Sequence, residues 1–269
     1  MYRLSGYPLI LGAGGYGVVR TGLGQTAQSK QAVKFLYPQQ CLLAQYEFMI
    51  HKKIFDAWTT LEWIATKEDH SLSCFVPKPI DYEEDETGCV IVTERLFSSH
   101  PKKDYQVHIA LSGNAPPQSV NQLISVDFDN KSSALQRGYF YDEEGIKTLI
   151  QSQQLTMDDV VYDIGLLIGT IIFGAHYDPY DCEFLLVRKY GELKVSVVDF
   201  GKCEPIFQFD QKTAYKIVNH IDLDLYYTPS TGHHNQAYFA GIRKAANVFK
   251  ATVSPTFFSL LMDEFQQLR

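Results

Sequence analysis

Two separated groups of residues have the types and spacing that handle a polyphosphate. Near the start, Leu11-Gly12-Ala13-Gly14-Gly15-Tyr16-Gly17-Val18-Val19 is followed by Ala32-Val33-Lys34. Gly12, Gly14 and Gly17 give a G-x-G-x-x-G-x-V spacing. Without Cβ atoms, their backbone N–H groups can close over phosphate oxygens, and the turn can take positive φ. The lysine offers those oxygens a cation. Far along the chain, His176-Tyr177-Asp178-Pro179-Tyr180-Asp181-Cys182-Glu183-Phe184 and Val197-Val198-Asp199-Phe200-Gly201 supply carboxylates. Carboxylate oxygens are the ligands that hard divalent cations take, and a carboxylate can also accept a proton from an attacking hydroxyl.

These residues need elements to hold them. The apolar runs Tyr7 to Leu11 and Val18 to Thr21 read as strands on both sides of the glycines, whereas a dinucleotide-binding fingerprint would open a helix. Gly22, Gly24 and the polar stretch to Lys30 break the chain before another short strand, Gln31 to Leu36. Phe184 to Arg188 and Leu193 to Val198 read as a hairpin joined by Lys189-Tyr190-Gly191-Glu192, bringing Asp178 and Asp199 to the same end of one small sheet. Gln40 to Phe55 has helical periodicity with Leu43, Glu47, Ile50 and Ile54 on one face. A glutamate on an apolar stripe needs a cation, and Lys34 is the candidate partner, with Glu62 in reserve. Thr156-Met157-Asp158-Asp159 opens a second helix with a Thr cap and acidic first turn. Val161, Ile164, Leu167, Ile168, Ile171 and Ile172 make its broad apolar surface. The segment 97–155 reads as an elaborated connection containing short strands or a lid.

With motif order and spacing in agreement, the chain resembles the protein kinase superfamily over Tyr7 to Ile54 and Thr156 to Lys202, with a hinge near Val90 to Leu96. There is also a looser similarity to a kinase-like domain of unknown function in fungal proteins, carried by an H-x-D-x-x-D-x-E-F pattern from His176. The resemblance implies an α+β chain with a two-lobed protein-kinase-like fold and a truncated C-terminal lobe. Residues 1–95 would form a sheet lobe with one main helix, and 96–269 a mostly helical lobe carrying the catalytic hairpin. It implies an atypical, minimal kinase using ATP and Mg2+ or Mn2+, with a hydroxyl acceptor on a protein or a small molecule. Gly12, Gly14, Gly15, Gly17, Val19, Ala32, Lys34 and Glu94 would contact the nucleotide. Glu47 would hold Lys34, Asp178 would accept or orient the acceptor proton, and Asp199 and Glu183 would bind metal. His176 would pack and hold its loop.

Several residues depart from the kinase pattern. Glu183 stands where a metal-binding asparagine is expected. One extra negative charge at ~5 Å and an effective dielectric of ~20 costs ~3 kcal/mol unless a cation bridges it. Tyr177 and Tyr180 replace the arginine and lysine flanking the aspartate, which removes docking of a phosphorylated activation loop. The 68 residues after Gly201 (269 minus 201) show no A-P-E segment. Two other readings stay open: a small-molecule phosphotransferase of the antibiotic-kinase type, and a pseudokinase interaction module.

Composition bounds the rest. With 269 residues, 45% hydrophobic, the chain can bury a substantial core. Its 24 basic and 31 acidic side chains, net charge −7, give no footprint for nucleic acid or an acidic membrane surface. Cysteines at 41, 74, 89, 182 and 203 lack C-x-x-C spacing, so neither a zinc site nor a disulfide is expected, and a reducing cytoplasmic location fits. The most apolar stretch, Val160 to Ala175, is short and interrupted by Asp163, so no membrane span is expected. Asp222 and Asp224 with Tyr226 and Tyr227 form an acidic and aromatic cluster, and the adjacent His233 and His234 are assigned no metal.

Overall fold

The computed structural model describes residues 10–14, 17–21, 30–98, 107–108, 140–141, 151–221, 232–250 and 255–267. In chain order, strands β1 (Ile10–Gly14), β2 (Gly17–Thr21) and β3 (Gln31–Leu36) lead through a 3-10 turn at Pro38–Gln40 into helix α1 (Cys41–Lys67). Strands β4 (Cys74–Phe75), β5 (Pro79–Asp85), β6 (Gly88–Glu94), β7 (Phe97–Ser98), β8 (Val107–His108) and β9 (Phe140–Tyr141) follow. Helix α2 (Met157–Gly169) runs into a π turn, Thr170–Gly174. Then come β10 (Tyr177–Asp178), β11 (Glu183–Lys189), β12 (Glu192–Val198), a 3-10 turn at Phe200–Lys202, and β13 (Glu204–Pro205). Helices α3 (Gln211–Asn219), α4 (Gly232–Val248) and α5 (Pro255–Gln267) complete the set. The chain is therefore mixed α+β.

Among the described residues, five antiparallel strands form one sheet in the order β1-β2-β3-β6-β5. Alternation along β3 puts Leu36 on the face that packs with Cys41, Ala44, Cys89 and Ile91 against α1, while Val33, Val90 and Val92 pack on the other face. Lys34 shares the α1 side with Leu36, opposite Ile91 in the sheet register. The second sheet runs β4-β12-β11-β8-β9, with β7 also on β11. Its central hairpin turns at Tyr190 and Gly191, both at positive φ, as a tight two-residue hairpin loop requires. Helix α2 is capped by a reciprocal box between Thr156 and Asp159, and its apolar face lies in the main core with Tyr238, Ile242 and Ala245 of α4.

Three expectations are corrected. The first helix does not end at Phe55: no Gly or Pro interrupts residues 41–67, and Trp58, Leu61 and Ala65 extend the buried stripe. Its inward face also runs through Cys41 and Ala44, which leaves Leu43 53% exposed. The chain passes from β6 to β7 across Arg95 and Leu96, yet β4, earlier in sequence, pairs in parallel with β12 of the second sheet. Finally, Cys41 and Cys89 form a disulfide with Cα atoms 5.5 Å apart. Cysteine spacing could not reveal it, because the pairing is set by where α1 starts against β6, 48 residues away. The expected short strands in 97–155 are present as β7, β8 and β9, while a lid there lies outside the described residues.

Candidate functional site

Lys34 is the centre of the site. Its ammonium donates to both carboxylate oxygens of Glu47 at 2.8 Å and stands 3.8 Å from Asp199 Oδ1. The contact follows from local pattern: β3 turns Lys34 toward α1, and Glu47 lies one helical turn past Ala44 on the inward face. Burial alone would push the ammonium's pKa down, but Glu47, Asp199 and the more distant Glu183 outweigh it and hold Lys34 above the ordinary lysine value. Glu47 moves the opposite way from a simple ion pair. Its own burial raises it, against the pull of Lys34 and with a further push from Asp199. The pair therefore serves position more than stability, as expected where desolvation rivals Coulomb attraction. Glu62, the reserve partner, is exposed and plays no part.

Asp199 follows β12 in the left-handed region, at φ 62° and ψ 66°. His176 and Asp181 are also non-glycine residues at φ 62°. Such conformations cost energy and persist where the surroundings fix them, so their concentration in one short region marks it as a candidate site. The anchor here is Phe200, fully buried against the His51 ring of α1 at 4.8 Å. The His51 pKa is lowered to about 4 by burial, and its Nε2 lies 2.6 Å from the Pro77 carbonyl, so the neutral ring donates that bond. Gly201 sits so close that an added Cβ would lie 3.3 Å from Glu47 Oε2. Helix α1 thus holds both the lysine's partner and the segment carrying Asp199.

Glu183 begins β11 opposite Val198, one residue before Asp199, and its charge reaches Lys34. Asp178 occupies a different setting. It lies on β10 paired with Glu204, is 2% exposed, and accepts a 2.7 Å hydrogen bond at Oδ2 from His220 Nδ1. Its Oδ1 is buried without a hydrogen-bond partner. Burial raises the Asp178 carboxyl above its ordinary range, opposed by His220 and Lys216 and reinforced by Glu204. The Cys182 thiol feels the charges of both Asp199 and Asp178.

The remaining expectations divide. Gly12, Gly14 and Gly17 lie on the β1–β2 hairpin, and Val19 pairs with Lys34 across β2 and β3. Gly15 lies outside the described residues, as do Asp222, Asp224, Tyr226 and Tyr227; of His233 and His234 only the helical backbone of α4 is described. Ala32 is buried in β3. Glu94 ends β6 with its N–H bonded to the Lys78 carbonyl and its carboxylate taking the Lys78 N–H at 3.2 Å and Lys189 at 3.5 Å. His176 packs edge-on against Phe209. Lys202 pairs with Asp181 at 2.8 Å.

No protein-family model matches this chain, and no curated protein matches it. The site is therefore judged on its own donors. Among the described residues no three His, Cys, Asp or Glu side chains converge as a metal cage. Asp199, 45% exposed beside Lys34, and Glu183 are two carboxylates. That is the complement Mg2+ takes when phosphate and water complete its shell, so the residues present fit such a group. No helix among the described residues is long and apolar enough to cross a membrane.

Sequence reasoning did not find His220, His51 or the Asp163 cluster in the main core. Asp163 accepts from the Ser73 N–H and hydroxyl at 2.6 and 2.7 Å, with His70 Nε2 at 2.7 Å. An acidic residue inside the apolar run Val160 to Ala175 was the available signal for that cluster.

Proposed function

We propose that this chain is an ATP- and divalent-metal-dependent phosphotransferase with a two-lobed, protein-kinase-like arrangement, transferring to a hydroxyl on a protein or a small molecule. The observation that carries this reading is the Lys34 ammonium, held by both oxygens of Glu47 on a strand beside the glycine hairpin and 3.8 Å from Asp199. That charge arrangement suits a triphosphate approached from one side by a cation and from the other by carboxylates needing a metal between. When bound, the metal supplies charge neutralisation at the phosphate oxygens. Lys34, kept in place by Glu47, would orient the phosphates, Asp199 and Glu183 would hold the metal, the backbone of the glycine hairpin would cover the phosphates, and Asp178 would take the acceptor proton.

The test is mass spectrometry of the protein incubated with ATP and either Mg2+ or Mn2+, with and without added acceptors. Phosphoryl addition or ATP turnover is expected in the wild type and lost at least 100-fold in Lys34→Met and Asp199→Asn. Turnover unchanged in both variants, or absent from the wild type with either metal, would overturn the proposal. A second reading, a pseudokinase module that binds nucleotide without transfer, is favoured by one observation: Glu183 puts a further carboxylate charge near Lys34 where the kinase pattern has a neutral asparagine. Metal-dependent nucleotide binding without transfer to any acceptor separates it from the first.

A further inference from the structure

We infer that His220 is the positioning residue for Asp178, fixing its carboxylate so that Oδ2 is occupied and Oδ1 is the atom left to take the acceptor proton. This rests on the phosphotransferase reading and assigns a residue within the same site. His220 Nδ1 lies 2.7 Å from Oδ2, the histidine keeps only a fifth of its side-chain surface exposed, and the Tyr180 ring packs tilted against it, with centroids 4.3 Å apart. Tyr180 stands two residues after Asp178, so one loop provides both the carboxylate and the surface that fixes the imidazole plane. His220 caps the end of α3, where the helix carbonyls favour a ring that carries or shares positive charge.

The opposite oxygen makes the case. A buried carboxylate oxygen with no partner is costly, and native structures leave few of them without a reason. An acceptor hydroxyl would supply the missing hydrogen bond, and the path to Oδ1 must open when it binds. As the acceptor oxygen bonds to the γ-phosphorus, the bond from that phosphorus to the β–γ bridging oxygen breaks and ADP leaves with the electron pair. The hydroxyl proton passes to Oδ1 and then to solvent, while the His220 Nδ1–H bond to Oδ2 stays in place. The charged and titratable groups facing Asp178 are His220 and Lys216 at α3, Glu204 on β13 and Tyr180 in its own loop. Lys216 is itself paired to Glu204.

Two measurements on the full chain decide it. Imidazole NMR should show His220 protonated at Nδ1, with the downfield Nδ1–H resonance of a hydrogen bond to a carboxylate present in the wild type and lost in Asp178→Asn. In ATP turnover with Mg2+ or Mn2+, His220→Ala should lower kcat about 10- to 100-fold with little change in KM for ATP. The acid limb should move to higher pH, because the carboxylate loses a donor that favours its ionised form while turnover needs that form. His220→Asn, whose amide nitrogen can stand where Nδ1 does, should restore most of kcat and return the acid limb. Equal losses in the Ala and Asn variants with an unmoved acid limb, or a His220 Nδ1–H resonance indifferent to Asp178→Asn, would overturn the assignment. A wild type that turns over no ATP overturns the phosphotransferase reading and this one with it. The NMR arm then still reports whether the dyad exists, which separates the two failures.

Discussion

Glu183 decides how far this site can be pushed from an ordinary metal-nucleotide pocket. Its charge helps keep Lys34 protonated, and on the phosphotransferase reading it would also stand near the triphosphate. At ~5 Å and an effective dielectric of ~20, like charges cost ~3 kcal/mol, about two decades in binding. Glu183→Gln should therefore bind ATP measurably better than wild type without metal and gain less from added Mg2+. Titration calorimetry with and without metal reads both, and an identical metal dependence in the two proteins would remove Glu183 from the site. The neighbouring sulfurs behave differently. Cys182 and Cys203 are 3.3 Å apart and both fully buried, and burial lifts the Cys182 thiol well above the ordinary cysteine value. A thiol that does not ionise is a poor nucleophile. With five cysteines and one disulfide, three thiols remain: a chromogenic disulfide reagent should titrate close to none of them in the native protein and all three after denaturation.

At the scale of elements, α2 is tied to the segment before β4 by the fully buried Asp163. Removing that carboxylate strands the Ser73 N–H and hydroxyl, each a buried donor worth ~1–3 kcal/mol when orphaned. Asp163→Ala should lose roughly 3 kcal/mol, read as a fall in Tm of about 5–10 °C. The His70 hydrogen bond to Asp163, opposed by burial and helped by the Asp163 charge, raises the His70 pKa above 6.5. A raised histidine adds stability in full below its unfolded value, and that part fades as pH climbs through the folded one. Melting curves from pH 6 to 9 should show this loss in the wild type and a flatter profile in His70→Gln. What the sequence disclosed follows the same division by distance. Lys34, Glu47 and Asp199 were legible because strand alternation, a helical stripe and a hairpin each place a side chain from its near neighbours. Leu43 was misplaced because the phase of α1 depends on Cys41 and Ala44 reaching inward at its start. The Asp178–His220, Cys41–Cys89 and Asp163–His70 pairs join residues 42, 48 and 93 positions apart, and no periodicity carries that information.

At the scale of the whole molecule, α1 links the five-stranded sheet to the main core that backs the second sheet. Helix α1 packs on β5 and β6 of the first sheet and on the Phe200 turn and the π turn of the second part of the chain. The Lys34–Asp199 pair joins β3 of the first sheet to the residue that follows β12 of the second. A nucleotide with its metal, lying between these side chains, would add contacts to both sheets at once, and a ligand that binds only the folded chain raises its stability by mass action. At about one hundred times its dissociation constant the gain is ~2.7 kcal/mol, which for a protein of this size means a rise in Tm of roughly 5–10 °C. The rise should require metal as well as ATP, since Asp199 and Glu183 would otherwise repel the phosphates, and it should vanish in Lys34→Met while that variant alone melts near the wild-type temperature. Lys34→Met removes a cation and leaves Glu47 to take up a proton, a change its burial already favours, so the variant should fold. Differential scanning calorimetry with Mg2+ or Mn2+ at increasing ATP gives the answer directly: a Tm that does not respond to ATP with either metal would mean that the carboxylates and the lysine are a structural ion-pair network and no nucleotide bridges the sheets.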